Sequence, residues 1–79
     1  MKETSVEALF GKVLRELRTK AGMSQEKLAD VADLDRTYVS LLERGLRSPS
    51  LSTIFRISSA LKILPSHFLK LLEGVHDEG

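Results

Sequence analysis

The stretch Ser24 to Gly45, SQEKLADVADLDRTYVSLLERG, decides the fold. Its apolar or small positions, Leu28, Ala29, Val31, Leu34, Val39 and Leu42, are spaced so that two short helices can close on each other across a tight turn. Ser24 is placed to cap the first of these helices, which should end near Ala32, and Glu26 in its opening turn suits the positive end of the helix dipole. Asp35 is placed to cap the second, which should run to about Arg44 before Gly45 and Ser48-Pro49 stop it. Once the apolar positions are turned inward, a row of polar side chains is left on the outside.

Working outward, Thr4-Ser5-Val6-Glu7 fits a capping box, with Thr4 as the N-cap, opening a helix to about Lys20. Val6, Leu9, Phe10, Val13, Leu14 and Leu17 recur along it at helical spacing, and Gly22 follows its last turn, where a left-handed residue reverses the chain. Beyond the central stretch, a loop from Gly45 to Ser50 carries Arg47. A fourth helix, Leu51 to Leu61, is capped by Ser50 or Ser52 and turns Leu51, Ile54, Ile57 and Leu61 inward. A fifth begins near Pro65, where proline loses no helical hydrogen bond, and continues to about Glu73 with Phe68, Leu71, Leu72 and Val75 on one side. The tail from His76 to Gly79 is polar and expected to fray. The expectation is therefore an all-α, compact five-helix domain spanning residues 1–79, with its helix-turn-helix at about 24–44.

A 79-residue chain supplies only a modest core, so a partner surface would help its stability. Phe55, Ile63, Leu64 and Leu69 are surplus to the inward faces of the last two helices and predict a homodimer joined through them. The sequence has no cysteine, and its two histidines, His67 and His76, lie outside any metal-ligand spacing. No metal, cofactor or small-molecule substrate is expected. Neither a signal peptide nor a membrane-spanning apolar run is visible, which predicts a cytoplasmic protein with no membrane role. A net charge of +1 is a weak footprint for nucleic acid, although Lys12, Arg15, Arg18, Lys20, Lys27, Arg36, Arg44 and Arg47 all lie early in the chain.

At Gln25, Ala29, Leu34, Val39, Glu43 and Gly45 the chain resembles the helix-turn-helix of the Cro and phage-repressor-like (lambda-repressor-like) regulators. The resemblance extends from Phe10 to Leu72, through the LRELRTKAGMSQEKLA entry and the PSLSTIFRISSAL fourth helix. Within that family, LDRTYVSLLERG together with the chain length looks like the stand-alone controller proteins of restriction-modification systems. Two positions depart from the pattern. Asp33 stands where the family usually has glycine, so the left-handed turn should be kept with some strain. Leu64 stands where a capping Asp or Ser is common.

The resemblance implies double-stranded DNA as the partner and assigns roles along the polar row. Arg36, Thr37 and Ser40 lie near the start of the third helix, the end that enters the major groove in this motif. Arg36 can span the O6 and N7 acceptors of guanine, and Thr37 suits a thymine edge. Arg47 could bond backbone or a base edge. Gln25 can bond a phosphate beside the free N–H groups of its helix start, with Ser24 chiefly a cap and Arg44 a general phosphate partner. Tyr38 either reaches phosphate with its hydroxyl or packs at the edge of the core. Arg18 matches the family arginine that pairs with the glutamate at Glu43.

Three functions compete. The first is a sequence-specific transcriptional regulator, a homodimer on a partly palindromic operator, with the restriction-modification controller as its specific form. The second is an antitoxin or protein-interaction adaptor using the same fold. The third is an enzyme, which lacks a nucleophile elbow, a phosphate loop or a metal signature, so no enzymatic activity is expected.

Overall fold

A computed structural model of the chain describes residues 5–78, with side chains described as far as Gly74. Five helices follow one another: α1 (Val6–Lys20), α2 (Gln25–Ala32), α3 (Arg36–Glu43), α4 (Leu51–Ala60) and α5 (Pro65–Glu78). There is no strand among the described residues. α1 packs on α3 and α5, α2 on α3 and α4, and α4 on α5, which closes the helices around one core.

The helix starts follow from side-chain acceptors. Ser5, Ser24 and Ser50 each accept a backbone N–H three residues on at 3.0 Å, and Asp35 accepts that of Thr37 at 2.9 Å. The cap of α1 is thus Ser5 rather than Thr4, which lies outside the described residues, and Ser50 rather than Ser52 caps α4. The helix ends share one device, a left-handed residue just past the last turn. It is Gly22, Asp33, Gly45 and Lys62 after α1, α2, α3 and α4 in turn. After α1, Met23 N–H returns to the Arg18 carbonyl at 3.1 Å and Gly22 N–H to that of Thr19 at 3.0 Å, a Schellman closure that satisfies carbonyls the helix leaves open.

The core is centred on Phe10 and Phe68, whose rings stack at 4.9 Å and join α1 to α5. Leu14 of α1, Leu28 of α2, Val39 and Leu42 of α3 and Ile57 of α4 complete it, all wholly buried. Three expected inward residues face solvent instead: Val6 at 65% exposure, Val31 at 47% and Leu51 at 69%. Val6 and Leu51 sit in the first turn of their helices, before the neighbouring helices reach them. In α2 the inward face is Leu28, Ala29 and Ala32, the small alanines suiting a short helix that packs on both α3 and α4. In α4, Thr53 takes the inward place expected of Leu51.

α5 continues to Glu78 rather than ending near Glu73, so His76 lies in helix and not in a frayed tail. A lone Gly74 costs a helix only about 1 kcal/mol relative to alanine, too little to stop it. α1 and α3 touch backbone to backbone. A Cβ added at Gly11 would lie 2.5 Å from the carbonyl oxygens of both Leu42 and Glu43, so the backbones meet there with no side chain between them.

Candidate nucleic-acid interface

The turn between α2 and α3 sets the direction of α3. Asp33 adopts φ 59° and ψ 49°, and Leu34 N–H closes onto the Ala29 carbonyl at 2.8 Å. From α4, the Arg56 guanidinium donates to the Asp33 carbonyl at 3.2 Å, holding the non-glycine turn from outside the motif. α3 then buries Val39 and Leu42 completely, leaving Arg36 and Thr37 exposed and Ser40 and Leu41 half-buried on its other side. Arg36 is the first residue of the helix, the end that leads into a major groove in this motif.

Behind α3, the buried carboxylate of Glu43 gathers three donors. Arg18 donates to it through Nε and through Nη2, the latter at 3.1 Å, and the side-chain exposures of the pair are 11% and 3%. The third donor is Gln25 Nε2, 3.0 Å from Glu43 Oε1. A carboxylate only accepts, so the nitrogen edge of the amide must face it. Arg18 Nη1 also donates to the Met23 carbonyl at 2.7 Å and ties the entry to α2 into the same network. An open polar depression lined by Arg18, Ser24, Gln25, Glu26 and Arg36 lies at this junction and brings Gln25 and Arg36 to one place.

The other candidates are spread around it. Ser24 is exposed, and its hydroxyl is committed as the cap of α2. The Tyr38 hydroxyl lies 3.3 Å from Thr53 Oγ1, to which Ser50 Oγ also donates at 2.9 Å, so the half-buried tyrosine is linked to the start of α4. Arg44 and Arg47 are exposed in the run that follows α3. Among the surplus apolar residues, Phe55, Leu64 and Leu69 are 55%, 70% and 43% exposed, whereas Ile63 is half-buried and packs on the core. Sequence reasoning misses the Gln25–Glu43 bond, the Arg56 brace and the Gly11 contact. Of these, only Gly11 leaves a signal, a glycine in mid-helix between the inward residues Phe10 and Val13.

Among the described residues, no group of His, Asp or Glu is placed to hold a metal ion, and no helix is long and apolar enough to cross a membrane.

Residues 14–68 match the helix-turn-helix family model, and the chain belongs to that family. Its more particular kinship is with the controller proteins of restriction-modification systems. Control protein C.BamHI of Bacillus amyloliquefaciens is 48% identical over 66 residues, covering 82% of each chain. The crystal structure of the restriction-modification controller protein C.AhdI from Aeromonas hydrophila is similar with a TM-score of 0.77 and 48% identity, over 78% of this chain and 94% of that one. The controller C.Esp1396I, solved as a tetramer in complex with its natural 35 base-pair operator, matches with a TM-score of 0.82 and 30% identity, over 91% of this chain and 95% of that one.

Proposed function

We propose that this protein is a sequence-specific DNA-binding regulator of transcription that controls a restriction-modification system. It acts as a homodimer on a partly palindromic operator, each copy addressing one half-site. The observation that carries this reading is the exposure of Arg36 and Thr37 at the start of a helix whose other face is locked in the core, in a chain that is nearly half identical to a control protein over most of its length. The DNA complex of C.Esp1396I supports the choice of ligand. Exposed Phe55, Leu64 and Leu69 on α4, the following loop and α5 support the homodimer, with Ile63 at its margin.

Within this reading, Arg36 is the main base reader, Thr37, Ser40 and Arg47 assist it, and Gln25, Ser24, Tyr38 and Arg44 meet the phosphate backbone. The protein acts by binding and performs no chemistry. Selection of bound sequences from a random duplex library should yield a two-fold related site. Against that site, Arg36→Ala should narrow the gap between operator and random DNA by about 1 to 3 kcal/mol at fixed salt, whereas Gln25→Ala should weaken both alike. Equal losses on both duplexes for Arg36→Ala would make Arg36 a phosphate contact and move base reading to Thr37, Ser40 or Arg47.

A further inference from the structure

The amide of Gln25 has two unlike edges, and only one suits a phosphate. Phosphate oxygens accept hydrogen bonds, so the carbonyl edge would repel them and the nitrogen edge would bind them. A glutamine free to turn presents either. In this fold Gln25 is half-buried and its nitrogen edge is held: Nε2 lies 3.0 Å from Oε1 of Glu43, a carboxylate with only 3% of its side chain exposed. One of the two Nε2 hydrogens is used there. The other remains, directed by the planar amide away from the carboxylate.

We infer that Glu43 is a positioning residue for the DNA contact at Gln25, fixing its amide so that one N–H stays presented to a backbone phosphate oxygen. The inference rests on the reading of Gln25 as a phosphate contact. Arg18 has a second part in the arrangement. Its guanidinium holds both carboxylate oxygens of Glu43, so the acid that orients Gln25 is neutralised and does not repel the phosphate it serves. Arg18 also bonds the Met23 carbonyl at 2.7 Å, and so fixes the chain just before the capping Ser24. The ion pair is thereby both the tie between α1 and α3 and the underside of the contact.

A mutant cycle tests this, using a short mixed-sequence duplex at fixed salt, since a phosphate contact acts on every sequence. Gln25→Met removes the amide while keeping the length of the side chain. The reference background is Arg18→Met with Glu43→Leu, which leaves no lone buried charge and so preserves the fold. In the unmutated protein Gln25→Met should weaken duplex binding about three- to tenfold. In the apolar background the same change should cost about twofold or less, because the amide there is no longer oriented. Equal factors in the two backgrounds would overturn the positioning role and leave the phosphate contact standing. No loss from Gln25→Met in the unmutated protein would overturn both.

Proton exchange at the Gln25 side-chain amide, followed by NMR on the unmutated protein without DNA, reads the positioning alone. One Nε2 proton should exchange measurably slower than the other. Equal, fast exchange of both would overturn the inference.

Discussion

Where α1 meets α3, the buried charge of Glu43 finds Arg18 and Gln25 within its own chain. Where α4 meets α5, Phe55, Leu64 and Leu69 stay exposed. The first region is closed: its buried carboxylate is satisfied before any ligand arrives, so α3 can be held in place ahead of the encounter. The second is open, with apolar surface that only another molecule can take out of water. Each region is finished in the way its proposed partner requires, a polar and fixed surface for DNA and an apolar one for a second copy of the chain.

The contrast breaks most severely at Arg18. Arg18→Ala should cost about 3 to 5 kcal/mol of folding stability, measured by urea or thermal unfolding, because Glu43 would be left as a lone buried charge. Unchanged stability with weakened DNA binding alone would mean that Arg18 is a DNA contact and that the closed region is not held by its ion pair.

At the open region, Leu69→Glu should convert dimers to monomers in sedimentation experiments and weaken operator binding. A leucine buried at an interface contributes about 1.5 to 3 kcal/mol, and a two-fold interface loses it in both copies. An unmutated protein that sediments as a monomer at high micromolar concentration would leave the exposed apolar residues without a second copy to cover them.

The smallest effect sharpens the account of the turn. Asp33→Gly should raise stability by about 0.5 to 1 kcal/mol, since relief of the left-handed backbone exceeds the freedom glycine regains in the unfolded chain. A loss of stability would show that the aspartate side chain itself holds the turn.

Much of this architecture is legible in the sequence because it depends on short-range signals. Ser24, Asp35 and Ser50 mark helix starts by their type and place, and Phe10, Leu14 and Phe68 mark inward faces by period. What is lost depends on features to which periodicity is blind. Val31 and Ala32 are neighbours on a helix, and hydrophobicity favours the valine, whereas close packing of α2 between its neighbours favours the alanine. Leu51 and Val6 are apolar at helix starts, where period cannot reveal that no neighbour reaches them. The Arg18 to Glu43 pairing is implied only by family resemblance, and the structure joins them. That Gln25 shares the same carboxylate could not be read at all, because residues eighteen apart in sequence meet only once the fold is formed.

The bare contact at Gly11 bears on what the two-helix motif can do alone. Carbonyl oxygens from the last turn of α3 rest directly on the α1 backbone, so the tilt and depth of the reading helix are gauged by a helix outside the motif. Under the proposed reading, residues 24–45 therefore carry most of the side chains of recognition but not their aim. Grafted onto another scaffold, they would present the same side chains at an angle the new host decides.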